Sequence, residues 1–266
     1  MLKWKLEDGL IKELTLENGE NLIFPWGVET ADEWSFFSLE RSVGYRYERT
    51  HEKIEGFENK QQVELDVQMC QGEFRLSIYD ELKLDQVLRE VSLETLKETR
   101  LMDFVMRFRF KKEFFPRAHI VGQSFEHKNT NIYHQYVTSE ASLSGPLGKI
   151  KIEVLDAYVP QTMTQHLYVR DRGDEWIIHV RMLPHSWDRE TIKLCNSFFK
   201  TRPLPQFFSR LILSFDSLRS ALWYRGERSP YIGKFLRWLN PNAFPMCSFP
   251  KGEKLSFKVQ MSWSKI

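Results

Sequence analysis

The 266-residue chain contains few cysteines, and none of them lies in a motif. Cys70, Cys195 and Cys247 are far apart in sequence, so no CxxC metal or redox pair is present. An odd and sparse set of cysteines argues against a disulfide framework and for a reducing compartment. The N-terminus lacks the apolar region of a signal peptide, and no apolar run approaches the ~20 residues that span a bilayer. We therefore expect a soluble, cytoplasmic protein.

The common catalytic signatures are also missing. The sequence contains no GxxxxGK[ST], GxGxxG, HExxH or GxSxG, which excludes P-loop nucleotide chemistry, the dinucleotide fingerprint, the helical zinc protease and the usual nucleophile elbow. His127 and His134, with His119 or His166, do not have the spacing of a metal site. We therefore predict no cofactor and no bound metal.

The bulk composition predicts a folded, aromatic-rich protein. Hydrophobic residues make up 42% of the chain and charged residues 28%, and 20 residues are Phe, which suits the half-buried face of a sheet. All-β sandwiches often reach ~200–250 residues as one unit, so we expect one domain over 1–266. Residues 1–100 carry 13 Lys/Arg against 22 Asp/Glu, and residues 101–266 carry 25 against 14. Either one face is electropositive or the two halves neutralise each other within the fold.

Most of the chain alternates apolar and polar side chains with a period of two, which is typical of strands with one solvated face. In residues 104–110 this alternation places Arg107 and Arg109 on one face. Residues 85–100 fit neither period cleanly, so a helix is the alternative there, and we favour strands. The other strands are expected at 2–6, 10–16, 22–24, 63–69, 74–78, 119–123, 132–138, 149–155, 166–170, 175–182 and 255–263.

The turns between these strands predict the fold class. Asn18-Gly19 lies between two strand-like runs, and both residues suit the positive φ angles of a hairpin turn. We predict an all-β, mainly antiparallel protein, either a large β-sandwich (supersandwich) or barrel-like. One or two short helices are expected near the C-terminus. Ser229 and Pro230 favour the start of a helix over residues 229–239. A second helix is predicted at 216–223.

Two strands of a predicted hairpin carry the first group of candidate binding residues. His166, Tyr168 and Arg170 share one face of a strand, and His179 and Arg181 share a face of the next one. Together they would line a cleft with cationic and imidazole groups, and arginine suits carboxylate or phosphate. The alternative is cross-strand pairing with neighbouring acidic residues, which contributes only ~0.2–1 kcal/mol per pair.

A second group lies in the polar segment 127–136. His134 and Tyr136 would share a face of the strand at 132–138, where they could pass protons to a substrate. Asn129 or Asn131 could hold a substrate hydroxyl or carboxylate. The alternative is a solvated strand with amphipathic aromatic residues.

Residues 210–239 mix basic and aromatic side chains, Trp223 and Arg225 among them. Such a mixture can bind an anionic sugar or nucleic acid, or lie on an anionic membrane surface. The alternative is that the aromatic residues form core and the cations a solvated rim.

These groups support three functional hypotheses. The first is a carbohydrate-active or carbohydrate-binding sandwich, with epimerase-, mutarotase- or lyase-like proton transfer on an anionic sugar. Its catalytic residues would be His134, Tyr136 and Arg170, and its binding residues would be Asn131, His166, Tyr168, His179, Arg181, Trp223 and Arg225. The layout is similar to the large sandwiches of sugar mutarotases and polysaccharide lyases, and no residue motif carries that similarity.

The second hypothesis is a barrel or sandwich that binds, isomerises or cyclises a lipophilic small molecule in a pocket lined by Phe and Met. The third is a non-enzymatic peripheral membrane or assembly protein that uses residues 210–239. Nucleic acid is not expected as a partner, and the sequence leaves the oligomeric state and the existence of an enzymatic activity open.

Overall fold

The computed structural model describes residues 1–32, 35–40, 44, 46–130, 132–185 and 246–265. Within these ranges the chain forms strands and no helix, so it has no helix there that is long and apolar enough to cross a membrane. The strands are β1 (Lys3–Glu7), β2 (Leu10–Thr15), β3 (Gly27–Ala31), β4 (Phe36–Ser38), β5 (Glu48–Phe57), β6 (Lys60–Met69), β7 (Gly72–Lys83), β8 (Gln86–Thr95), β9 (Thr99–Leu101), β10 (Asp103–Lys111), β11 (Arg117–Ile120), β12 (Gln123–Glu126), β13 (Tyr133–Tyr136), β14 (Glu140–Gly145), β15 (Gly148–Tyr158), β16 (Met163–Arg172), β17 (Glu175–Pro184), β18 (Cys247–Phe249) and β19 (Lys254–Ser264).

Two large sheets dominate this part of the chain. One has nine strands in the order β12-β11-β14-β15-β19-β8-β7-β6-β5, and the other has six in the order β13-β16-β17-β10-β3-β4. Two-stranded sheets are formed by β1 with β2 and by β9 with β18. The paired strands run antiparallel throughout.

The apolar faces of the two large sheets pack against each other. Phe104 of β10 stacks on Phe257 of β19 with ring centroids 5.5 Å apart. Phe37 of β4 meets Phe74 of β7 edge to face at 5.7 Å. These rings belong to one buried cluster that draws on both sheets. The predicted mainly antiparallel β-sandwich is confirmed.

The strand predictions are confirmed where the period of two is strict, and most of residues 85–100 also form a strand. The predicted strand at 119–123 is wrong, because Val121 and Gly122 form the turn between β11 and β12. Residues 86–95 form β8, with Val87, Val91 and Leu93 buried against the core, so the helix alternative is excluded there. Residues 22–24 are not a strand, because only Asn21 and Ile23 make isolated bridges near that position. The predicted helices at 216–223 and 229–239 lie outside the described residues, and the single domain stays a prediction.

The six-stranded sheet is buried on both faces, and its two faces differ in polarity. Phe104, Met106 and Phe108 of β10, like Ile178 and Val180 of β17, point into the apolar core. The alternate residues of the same strands point to the other side, which we call the polar face. Most of its charged and aromatic side chains are buried as well, and Arg107, Arg109 and Glu175 are only partly exposed. This face is therefore not the solvated side that alternation normally indicates.

Candidate site on the polar face of the six-stranded sheet

The hairpin of β16 and β17 places the candidate binding residues next to each other. The strands pair in register around Gly173, with His166 opposite Arg181 and Tyr168 opposite His179. All four side chains are at least nine-tenths buried. Adjacent strands lie about 4.8 Å apart and alternate residues of a strand about 6.7 Å apart. The four side chains therefore start from a rectangle of about 4.8 by 6.7 Å.

His166 is held as a neutral imidazole. Burial and, after it, the positive charge of Arg181 lower the pKa of His166 from 6.5 to about 4. Neither ring nitrogen of His166 has a hydrogen-bond partner among the described residues. A buried imidazole with two unused nitrogens carries a desolvation cost, and in its neutral form it can accept one hydrogen bond and donate another.

Two short hydrogen bonds order the aromatic part of the site. The hydroxyl of Tyr168 shares a hydrogen bond of 2.5 Å with Nδ1 of His179. The Arg170 guanidinium donates to the hydroxyl of Tyr133 at 2.5 Å and also lies over that ring, 4.4 Å from its centroid. The rings of Tyr133 and Tyr168 meet edge to face at 4.9 Å. These contacts fix two phenol groups and an imidazole on one surface.

Acidic groups from β10, from β3 and from Glu40 after β4 balance the arginines. Arg181 donates to Oδ2 of Asp103 at 2.9 Å, and Arg107 forms ion pairs of 2.7 Å with Glu29 and 2.6 Å with Glu40. Burial alone would lower the pKa of Arg107, but the two carboxylates outweigh it and raise that pKa. The polar face is therefore a nearly charge-balanced network and not an exposed cationic patch.

This combination of groups can bind a polyhydroxylated ring and move protons on it. Phenol and imidazole rings present flat surfaces, and arginine, tyrosine and histidine present hydrogen-bond donors and acceptors. A neutral imidazole next to a hydrogen-bonded tyrosine–histidine pair provides a proton acceptor and a proton donor on one surface. Five of the predicted site residues come together here: His166, Tyr168, Arg170, His179 and Arg181.

The structure does not bring His134 and Tyr136 to the polar face. They pair with Val169 and Leu167 of β16, whose side chains point into the core. His134 stacks on Phe125 with centroids 3.6 Å apart, and burial lowers its pKa. As predicted, His134 and Tyr136 share a face. Tyr133 points to the opposite face, where it reaches Arg170.

The remaining predicted site residues are not described. Asn131, Trp223 and Arg225 lie outside the described residues. The segment before Asn131 is anchored by Asp171, which accepts hydrogen bonds from the backbone N–H groups of Lys128 and Thr130 and from the Thr130 hydroxyl. Burial alone would raise the pKa of Asp171, but these hydrogen bonds outweigh it and lower the pKa below its ordinary value.

A separate cleft opens at the far end of the nine-stranded sheet. It contains none of the predicted site residues. Its lining residues are Pro116, Arg117, Glu126, His127, Ser144 and Gly145. The imidazole of His127 is hydrogen-bonded there, with Nε2 at 2.9 Å from the carbonyl oxygen of Glu175. Among the described residues, no group of three or more His, Cys, Asp and Glu side chains is placed to hold a metal.

Four residues of the polar face were not identified as site residues from the sequence: Tyr133, Asp103, Glu29 and Glu40. Arg107 and Arg109 did signal that the outer face of β10 is polar, and Asp103 lies on that same face by alternation. Glu29 and Tyr133 carried no such signal. They join the site only through the pairing of β3 with β10 and of β13 with β16.

No protein-family model and no curated protein matches this chain. Several solved structures align with nearly the whole chain at low sequence identity. A putative aldose 1-epimerase from Escherichia coli K12 is 8% identical with a TM-score of 0.48, and the alignment covers 100% of this chain and 99% of that one. A galactose mutarotase related enzyme from Lactobacillus acidophilus is 7% identical with a TM-score of 0.49, covering 100% and 98%. A polysaccharide lyase is 11% identical with a TM-score of 0.41, covering 98% of this chain and 32% of its own. At identities this low, the chemistry has to be argued from the residues of this chain.

Proposed function

We propose that the chain binds a sugar on the polar face of its six-stranded sheet and transfers protons to and from it. The observation that supports this most is the buried rectangle of His166, Arg181, Tyr168 and His179. A purely structural sheet would fill these positions with apolar side chains, because burying polar groups costs free energy. Titratable groups that are buried together are typical of functional sites.

The reaction we propose is proton exchange at the anomeric centre of the sugar. The neutral imidazole of His166 accepts the proton of the anomeric hydroxyl as the bond between the anomeric carbon and the ring oxygen breaks. The Tyr168–His179 pair gives a proton to that ring oxygen, which leaves an open-chain aldehyde. Rotation about the adjacent carbon–carbon bond and the reverse proton transfers close the ring as either anomer, so no other reactant is consumed.

We propose further that the preferred sugar is anionic. Arg170 and Arg181 are buried on the same face, at opposite ends of Tyr168. A carboxylate at one end of a sugar would accept hydrogen bonds from a guanidinium. Arg170 and Arg181 are the two candidates for this contact. Affinities for an aldose and for its uronic acid, measured by calorimetry, test the preference, and equal affinities would reject it.

The test of the reaction is the rate of anomer interconversion, followed by NMR for a panel of aldoses and uronic acids. We expect the wild-type protein to accelerate it and His166→Gln to lose about 10²–10⁴-fold, the usual contribution of a positioned acid or base. His119→Gln is the matched control, since His119 contacts Ser144 on the other sheet. The variant His134→Ala/Tyr136→Ala should keep its activity. Equal losses in the control, or no acceleration by the wild type, would reject the proposal.

The two other hypotheses are not favoured by any specific contact. The packed apolar core between the sheets contains many side chains with no exposed surface, and the cleft described above is lined mainly by polar residues. The membrane hypothesis rests on residues 210–239, which lie outside the described residues. Both stay predictions, to be tested by retention of a lipophilic ligand on purification and by co-sedimentation with anionic liposomes.

A further inference from the structure

Strand β5 forms an exposed edge of the nine-stranded sheet. It runs from Glu48 to Phe57, and nine of its ten residues are exposed. Among the described residues it pairs with one strand, β6, and it is the last strand in the sheet order. The outer edge of such a strand presents backbone N–H and C=O groups that can pair with a strand of another molecule.

The second half of β5 is regular enough to accept a partner strand. The irregularity in its pairing with β6 lies between Arg49 and His51, and from His51 to Phe57 the residues pair one for one. Two apolar side chains project from this part, since Ile54 is 42% exposed and Phe57 is 66% exposed. On either side of Ile54, Lys53 and Glu55 form an ion pair of 2.9 Å in which both side chains are exposed.

The order of these side chains is complementary to itself. If two copies of β5 pair antiparallel about a two-fold axis at Ile54, each Lys53 faces Glu55 of the other copy and each His51 faces Phe57. The two Ile54 side chains then face each other on the axis. An axis at residue 53 would instead place two lysines face to face, and an axis at residue 55 would do the same with two glutamates. Opposite charges directly across a strand pair stabilise it, and like charges destabilise it.

We propose that β5 is the interface of a symmetric homodimer in which the nine-stranded sheets of two copies join edge to edge. Both copies use the same patch, as a closed two-fold dimer requires. Each pair of Lys53 and Glu55, now linked within one chain, would join its counterpart in an alternating cluster of four charges. The apolar side chains of Ile54 and Phe57 would become covered. This interface is separate from the polar face of the other sheet and does not depend on the proposed activity.

The test is a concentration series of the full chain in sedimentation velocity. We expect a reversible monomer–dimer equilibrium in the wild type. Lys53→Glu and Glu55→Lys should each raise its dissociation constant by about tenfold or more, because each places like charges opposite each other twice. The double variant Lys53→Glu/Glu55→Lys restores the opposite charges and should return the dissociation constant to near the wild-type value.

A charge reversal on another strand serves as the control. Lys254 of β19 is as exposed as Lys53, at 63% against 61%, and it too pairs with a glutamate. Lys254→Glu should leave the dissociation constant unchanged, and circular dichroism checks that every variant keeps its strand content. A wild-type protein that stays monomeric throughout the series overturns the proposal. So does a double variant that associates no better than the single ones.

Discussion

The buried pair of Asp80 and Arg89 offers a sharp test of the energetics of the core. The two residues face each other across β7 and β8 and point between the sheets, with no exposed surface on either side chain. Nε of Arg89 lies 3.6 Å from Oδ1 of Asp80, and the guanidinium has no hydrogen-bond partner among the described residues. Oδ2 of Asp80 accepts a hydrogen bond of 2.6 Å from Gln61. Burial raises the pKa of Asp80, against the attraction of Arg89 and the hydrogen bond from Gln61.

Removing one member of this pair should cost far more than removing both charges. Arg89→Met keeps most of the side-chain volume but leaves a buried carboxylate without its counter-charge, and we expect it to lower the free energy of unfolding by about 3–5 kcal/mol. Asp80→Asn preserves an acceptor for Gln61 but leaves the guanidinium of Arg89 without its counter-charge. We expect a similar decrease in the free energy of unfolding. The double variant buries no charge, so it should lie within about 1 kcal/mol of the wild type or above it.

The assay is chemical denaturation followed by tryptophan fluorescence and circular dichroism, analysed as a double-mutant cycle. In the Arg89→Met variant the carboxyl of Asp80 loses the attraction that favours its charged form, so its pKa should rise further. A raised pKa in the folded state means that stability increases as the pH falls from that pKa towards 3.8, the unfolded value. The defect of Arg89→Met should therefore shrink in acid. Costs below about 1 kcal/mol for both single variants, or a double variant as unstable as their sum, would refute the reasoning.

Three further predictions concern single residues, each checked by denaturation. The pKa of His166 lies at about 4 instead of 6.5, so between these pH values the unfolded chain binds a proton at this residue and the folded chain does not. As the pH falls from 6.5 through 4, the free energy of unfolding of the wild type should therefore decrease by roughly 3 kcal/mol relative to that of His166→Gln. A pH-independent difference would contradict this. Gly148→Ala should destabilise by about 2 kcal/mol more than Gly122→Ala, because an added Cβ at Gly148 would lie 2.3 Å from a backbone oxygen whereas Gly122 faces open space. Both glycines have positive φ, and equal costs would show that the close approach is relieved. Asp171→Asn should cost about 2 kcal/mol through weakened hydrogen bonds, while Asp174→Asn, 82% exposed, should stay within about 0.5 kcal/mol of the wild type.

The strands were predictable because their side chains alternate. Residues 104–110 and 255–263 show this most clearly, and both form strands close to those bounds. Residues 85–100 were ambiguous for a physical reason: Arg89 occupies a core position of β8, so its charge interrupts an otherwise regular apolar alternation. The hairpin of β1 and β2 turns at Asp8 and Gly9, both with positive φ. This Asp-Gly pair is a known hairpin signal.

Half of the candidate site was predictable and half was not. The contacts between His166, Tyr168, His179 and Arg181 lie within one hairpin, so strand periodicity and a turn at Gly173 are sufficient to place them. The partners of these residues come from distant parts of the chain. Arg181 meets Asp103 at a separation of 78 residues, and period-two alternation contains no information about which strands become neighbours.

The burial of the polar face was not predictable from alternation either. A strand with polar residues on one face normally has that face in solvent. In β16 and β17 the opposite face already fills the core, and the polar face is buried as well. Alternation reports that two faces differ in polarity, but not that both are covered.

Histidine-selective NMR during a sugar titration tests the central claim most directly. The claim is that the ligand binds on the polar face of the six-stranded sheet, so the imidazole signals of His166 and His179 should shift saturably with a common dissociation constant. The signals of His119 and His134, which lie away from that face, should stay where they are. Shifts confined to His119 or His134, or no saturable shift with any sugar of the panel, would contradict the claim.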